Sequence, residues 1–264
     1  MTLNVALLQM DIEYGNPWGN YEKVKTNIEQ AAKSGVDVVV LPELWTTGYD
    51  LSRLDDIADI EGGESLNFFA ELAKANQVHV VGGSVANQSR EQAAEVKNTM
   101  LVVNASGEKV KEYSKAHLFR LMDEEKYLVE GNDNGWFTLA GIPSAGLICY
   151  DIRFPEWVRM HALGEMKVLY VVAEWPKPRI DHWRALLISR AIENQCFVIA
   201  CNRVGADPNN TFGGHSIVVG PWGEVLAEAG EDETILYKEI DVDQVDNVRK
   251  TIPIFSDRRS DLYR

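Results

Sequence analysis

Apolar positions along this chain follow two rhythms, short near-continuous runs and runs that recur at helical spacing, and their succession predicts the elements. Residues 3–10 (LNVALLQM) are almost continuously apolar, as in a strand buried on both faces. Asn16-Pro17 opens a helix in which Tyr21, Val24, Ile28 and Ala31 recur at helical spacing, and Gly35 closes it. The run 36–41 (VDVVVL) predicts a second strand, 64–75 a helix and 79–85 a further strand. Segments 98–103 and 109–113, separated by Asn104-Ala105-Ser106-Gly107, predict a hairpin, and 136–139 with 145–148 a second. The charged stretch 120–135 has no periodicity and reads as a loop lying over something. Beyond it come a helix at 154–163 and a strand at 168–173. The rigid link Glu174-Trp175-Pro176-Lys177-Pro178 leads into a helix over 181–193 that keeps Ala185, Leu186, Ser189 and Ile192 on one face. Strands at 197–200, at 215–219 and 224–227 around Gly220-Pro221-Trp222-Gly223, and at 236–240 complete the pattern. Alternating strands and helices without a linker predict one domain, 1–264, of layered α/β class: a mixed sheet, or two sheets packed between helices. The stretch 253–264 is too poor in apolar residues to fold alone and is expected to be disordered or laid against a partner subunit.

Composition narrows the function classes. An apolar content of 45% is ample for a core, and 25% charged residues is ordinary for a soluble protein. The formal net charge of −14 argues against nucleic-acid binding, which needs clustered Lys and Arg. An anionic small substrate would then need a specific local cation. No apolar run approaches the ~20 residues that span a bilayer, and the N-terminus shows no secretory signal. Three cysteines, Cys149, Cys196 and Cys201, are too few for a disulfide framework, so a cytoplasmic location is expected. Cys196 and Cys201, five apart across one strand, point to opposite faces and read as core.

Three stretches carry candidate chemistry. Cys149 ends the apolar run 144–148 just before Pro155 and Glu156, which suit the first turn of a helix. Backbone N–H groups converge at such a turn and favour the thiolate, although a lone cysteine is also commonly a core thiol. Glu43 follows the run VVVLP at a strand end, where sites of open α/β sheets gather. Partial desolvation there suits a carboxylate to general-base work, the plain alternative being a helix cap or surface acid. Lys115 stands where the strand 109–113 runs out, and its plain alternative is a solvated edge charge. His117 has no acid at an obvious spacing and reads as a structural hydrogen-bonding residue. There is no dinucleotide or P-loop fingerprint and no Cys/His cluster of zinc spacing.

The motifs LPELWTTGY, KAHLF and CYDIRFPEW, in that order, resemble those of the nitrilase or carbon–nitrogen hydrolase superfamily, and the likeness runs from VALLQMDI to GPWGEVLAEA. That resemblance implies a four-layer αββα sandwich with mixed sheets, usually paired into a homodimer through the helices near the nucleophile and the tail. It implies Glu43 as general base, Lys115 as the cation for the oxyanion and Cys149 as nucleophile. The N–H of Tyr150 would be the second oxyanion donor, a contribution of about 3–4 kcal/mol in such sites. No metal or cofactor is implied. The superfamily often places a second Glu seven residues ahead of a Gly after the Lys; counting back from Gly131 selects Glu124 over its neighbour Glu125, to orient Lys115 or position substrate.

RLMDEEKYLVEGN, EWPKPR, ARAIENQ and CNRVG further resemble the bacterial ω-amidase branch, which hydrolyses the terminal amide of 2-oxo acids such as 2-oxoglutaramate. The implied partner is thus a small amide substrate bearing a carboxylate. Arg153, four residues past the nucleophile, is a candidate to bind that carboxylate bidentately, or else to form an ion pair with Asp151 or Glu156. Tyr49, Phe119 and Trp175 follow strand ends on the same side and are expected to wall the pocket, with plain core packing as the alternative. Aliphatic amidase, nitrilase and N-carbamoyl amino acid hydrolase activities belong to the same superfamily, and a non-catalytic binding protein or a thiol redox sensor are readings from other classes.

Overall fold

Alternate residues of the first strand serve two different cores. Leu3, Val5 and Leu7 pack with Val38, Val40, Met100 and Val102, while Ala6 and Leu8 pack with Val39, Leu41, Leu101 and Val103. This period of two is that of a sheet buried on both faces. The computed structural model describes residues 1–92 and 95–262. Its strands among these residues are β1 (Thr2–Gln9), β2 (Val38–Val40), β3 (Asp59–Ile60), β4 (His79–Gln88), β5 (Val96–Val103), β6 (Lys109–Ser114), β7 (Trp136–Leu139), β8 (Ile142–Ile148), β9 (Val168–Ala173), β10 (Phe197–Asn202), β11 (Ile217–Val219), β12 (Val225–Glu228) and β13 (Thr234–Asp241). The helices are α1 (Pro17–Ala32), α2 (Leu54–Ile57), α3 (Gly63–Asn76), α4 (Glu124–Tyr127), α5 (Pro155–Leu163), α6 (Ile180–Asn194) and α7 (Gln244–Thr251).

The strands form two sheets, one in the order β13-β1-β2-β4-β5-β6 with β3 beside β4, the other β12-β11-β10-β9-β8-β7. Both are mixed: β1-β2-β4, β3-β4 and β8-β9-β10 are parallel, and the other pairs antiparallel. Helices α1 and α3 cover the outer face of the first sheet through Tyr21, Val24, Ile28, Phe69 and Leu72. Helices α5 and α6 cover the second through Val158, Ala162, Trp183, Leu187 and Ala191. The inner faces share one core, so the layers run α–β–β–α, as expected from the resemblance.

A bulge in β4 sets the end of β2. The register between β4 and β5 slips between Val81 and Ser84, at Gly82-Gly83. A Cβ on Gly83, whose φ is +57°, would lie 1.9 Å from the Pro42 carbonyl oxygen, so only glycine lets β4 approach the LPE turn this closely. Ser84 then receives that turn: its Oγ accepts the Leu44 N–H (2.8 Å) and its carbonyl the Trp45 N–H (3.1 Å). Gly83→Ala is expected to add roughly 1–2 kcal/mol of left-handed backbone strain to a backbone clash that shifts Glu43. Shifts of about 1 Å can lower turnover about 10²-fold, so kcat should fall far more than the denaturation midpoint moves; a kcat within twofold of wild type would contradict this.

Three departures from the sequence pattern have local causes. The hairpin between β7 and β8 closes on Ala140-Gly141, both left-handed (φ +51° and +75°), so β8 begins at Ile142 rather than 145. The segment 120–135 is not wholly loop, because a 3₁₀ turn over Arg120–Met122 and the short helix α4 interrupt it. Helix α7 was not expected; it buries Val245 and Val248, too short a stripe to stand out in sequence. The start of the tail is tied to its own chain: the Ile252 carbonyl accepts from Gln195 Nε2 (2.7 Å), and the Phe255 ring lies under Arg159 and Arg249 at 5.4 and 4.9 Å. The last two residues of 253–264 lie outside the described residues.

Candidate active site

The ends of β2, β6 and β8 deliver Glu43, Lys115 and Cys149 to one place. Lys115 is fully buried, and its Nζ donates to Glu43 Oε1 (2.7 Å) and to Glu124 Oε1 (2.6 Å). Its backbone is pinned, with the N–H on the Asn98 carbonyl (2.8 Å) and the carbonyl receiving the Gly131 N–H (2.9 Å). The loop after β6 thereby folds back, and α4 turns Glu124 inward. Glu124 is fully buried whereas Glu125 is exposed, so the count from Gly131 selected the inward acid. Glu124 also accepts the Phe119 N–H through Oε2 (2.6 Å) and the Tyr49 hydroxyl through Oε1 (2.6 Å).

Glu43 is held on every side. Oε1 accepts from Lys115, from Asn98 Nδ2 (2.8 Å) and weakly from Tyr49 (3.3 Å), and Oε2 accepts the Glu174 N–H (2.9 Å). Cys149 opens a 3₁₀ turn, Cys149–Arg153, with φ +45°, a left-handed conformation that costs a non-glycine residue about 1–3 kcal/mol. Asp151 holds this turn: Oδ2 accepts the Ile148 N–H (3.1 Å) and the Tyr113 hydroxyl (2.8 Å), and Oδ1 accepts the His117 N–H (3.1 Å) and faces His117 Nδ1 (2.7 Å). His117 thus has an acid partner, but one that sequence distance hides. At the first turn of such a helix the N–H groups lack intrahelical acceptors, so the Tyr150 N–H is free of that pairing.

Electrostatics decide the resting state of the thiol. Burial, and then the Glu43 carboxylate acting as both charge and hydrogen-bond partner, push the Cys149 pKa well above its usual value, with Lys115 pulling the other way. The expectation of a favoured thiolate is therefore corrected. One ammonium stands against two carboxylates, and the group is buried. Burial also disfavours the Lys115 ammonium, but Glu124 and Glu43 more than offset it and hold its pKa well above normal. Burial raises the pKa of Glu124, against Lys115. The arrangement can accept a thiol proton on a carboxylate and present a fixed cation to developing negative charge.

A small pocket of about 10 Å³ opens onto Cys149, walled by Phe119, Tyr150, Trp175 and Pro176 and edged by Arg153 and Arg179. Tyr49, expected on the wall, instead sits with its hydroxyl on the two carboxylates. Arg153 makes neither of the ion pairs considered for it, since Asp151 is taken by His117 and Tyr113. Its guanidinium lies 4.7 Å over the Trp175 ring, with one nitrogen 3.4 Å from His182 Nδ1. Sequence reasoning missed Asn98, Glu174 and Arg179. Asn98 is a buried amide in an apolar strand, and Glu174 follows the buried run of β9 as Glu43 follows that of β2; both signals were readable. Glu174 is buried and bonded to Arg203 (2.6 Å), and burial pushes its pKa up to about 8 against the pull of that guanidinium.

Comparison with known proteins agrees with this geometry. A family model described as carbon-nitrogen hydrolase matches residues 4–250. The chain is 52% identical over 263 residues, all of both chains, to a 2-oxoglutaramate amidase of Bacillus subtilis (strain 168). It is 33% identical to the Omega-amidase NIT2 of Homo sapiens, over 99% of this chain and 97% of that one. A crystal structure of a carbon-nitrogen hydrolase from Helicobacter pylori G27 superposes with a TM-score of 0.92 at 27% identity, covering 100% of this chain and 97% of the other.

Proposed function

This chain belongs to the carbon–nitrogen hydrolase family, and from that premise we propose that it is a cysteine amidohydrolase of linear amides. It cleaves the terminal amide of small ω-amido 2-oxo acids, 2-oxoglutaramate and 2-oxosuccinamate, to the acid and ammonia. One observation carries the chemistry: a buried ammonium bridged by two carboxylates at 2.7 and 2.6 Å stands where the strand before the left-handed turn of Cys149 also ends. The choice of amide is supported by the amidase that is 52% identical along the whole chain.

The steps follow from the charges. Cys149 rests as a thiol, so Glu43 takes its proton as the sulfur attacks the amide carbon. The oxyanion forms between the Lys115 ammonium and the Tyr150 N–H. Glu43 returns the proton to the departing nitrogen, leaving a thioester on Cys149 and free ammonia. It then takes a proton from the attacking water and passes it to the Cys149 sulfur as the C–S bond breaks and the acid leaves. Glu124 holds Lys115 beside Glu43, its Oε1 accepting from the ammonium at 2.6 Å. Phe119, Tyr150 and Trp175 wall the substrate, Arg153 binds its carboxylate, and Tyr49 acts from behind by fixing the two acids. The hydrolase domain spans 1–264 and works in the cytoplasm as a homodimer; exposed Leu163, Ile192, Trp222 and Ile252 on and around α5, α6 and the tail support that pairing. No helix among the described residues is long and apolar enough to cross a membrane.

The purified enzyme given 2-oxoglutaramate should release ammonia and 2-oxoglutarate in equal amounts, and Cys149→Ala should release neither. Ammonia no higher with wild type than with the variant would reject the assignment.

A further inference from the structure

Two guanidiniums stand at the mouth of the Cys149 pocket. Arg153 lies over Trp175 as described. Arg179, on the turn just before α6, lies 5.5 Å over the Phe119 ring, and its carbonyl accepts the Trp175 indole N–H (2.7 Å). Among the described residues, no carboxylate pairs with either. Both are only partly exposed, and both line the pocket that opens on Cys149. Neighbouring arginines behave differently: Arg184, Arg190 and Arg203 are all paired, with Glu228, Glu193 and Glu174. Arg159 and Arg249, over the Phe255 ring, also lack a carboxylate, but each donates to a backbone carbonyl, of Glu193 and of Met166, whereas the guanidiniums of Arg153 and Arg179 line the pocket that opens on Cys149. Like charges brought together out of water oppose folding unless an anion joins them. A guanidinium held over an aromatic face can still present N–H groups for the forked contact that suits a carboxylate.

We propose that Arg179 is a specificity-determining residue: with Arg153 it forms a two-guanidinium clamp at the pocket mouth that selects amides carrying a carboxylate at the end remote from the scissile bond. The clamp rests on the substrate reading above and adds to it a residue, a charge requirement and a sign of salt dependence. The overall charge of −14 would repel an anionic amide, and salt would relieve that repulsion. A local cation pair gives the opposite sign.

The test compares kcat/KM for 2-oxoglutaramate with that for pentanamide, a neutral amide of the same chain length. It uses wild type, Arg179→Gln and Arg179→Lys, at about 0.02 M and about 0.5 M KCl, which shortens the Debye length from roughly 20 Å to roughly 4 Å. The ratio between substrates cancels any difference in folded fraction. Wild type should prefer the anionic amide and lose part of that preference in high salt. Arg179→Gln should lower the ratio roughly tenfold to a hundredfold, the range for a charge-assisted contact, mainly through KM, and Arg179→Lys should restore part of it. A preference that survives Arg179→Gln, or equal losses on both amides, overturns the clamp alone. A wild type indifferent to substrate charge overturns the clamp together with the substrate reading.

Discussion

Glu43→Gln is expected to lower kcat by about 10³–10⁴-fold, since one carboxylate carries the proton in both halves of the reaction and such transfers contribute about 10²–10⁴ each. The side chain keeps its shape. Its oxygen can still accept from Lys115 and Asn98, but its NH₂ then meets the Glu174 N–H where Oε2 had accepted. The lost acceptor costs about 1–3 kcal/mol of stability, so the variant should remain folded. Any thioester it forms lacks a base to activate water, and intact-mass spectra of enzyme incubated with 2-oxoglutaramate should show substrate minus ammonia retained on Cys149. A kcat within tenfold of wild type would remove Glu43 from the proton pathway.

Lys115→Met is expected to damage stability and activity by separable routes. It removes the cation between Glu43 and Glu124 and leaves two buried carboxylates without a counter-charge. Breaking a buried pair in this way costs about 3–5 kcal/mol. Loss of the oxyanion cation should also lower turnover by at least about 10²–10³-fold. The stability loss has a pH signature. Without Lys115 the Glu124 carboxyl, already raised by burial, moves further above its unfolded value of about 4.3. A group with a raised folded pKa favours the fold below that unfolded value and disfavours it as pH climbs, so the variant should lose more stability at pH 8 than at pH 5. Adding Glu124→Gln should recover stability at pH 8 without recovering activity. Urea titrations of the single and double variants decide it: no recovery in the double variant would mean that Lys115 is held by something other than this charge balance.

Much of the fold was legible because strands and helices announce themselves through local periodicity. The run 168–173 is β9 to the residue, but the face read in 181–193 is not the one that packs. Helix α6 buries Trp183, Leu187 and Ala191, while Ala185, Ser189 and Ile192 are exposed, because its polar positions Arg190 and Asn194 find buried partners and so turn inward. Glu43 and Cys149 were legible because each follows an apolar run, whereas Lys115 follows the charged strand β6 and was legible from the strand end and the KAHLF motif; the spacing to Gly131 separated Glu124 from Glu125. Asn98 and Glu174 carried the same kinds of signal but lay outside the motifs. Helix α7 was hidden because two buried valines make a weak stripe. The Asp151–His117 pair was hidden because its partners stand 34 positions apart.

The order of the residues was enough to determine which chemical groups the protein owns and where strands end, because those properties depend on neighbours within a turn or two. Which charges face one another was decided only by the tertiary structure. Whether Cys149 rests as thiol or thiolate, whether Arg153 finds an acid, and whether Arg179 stands beside it depend on distances through space and on exclusion of water. Coulomb energy and desolvation act across the layers, and the same residues in another packing would carry different charges.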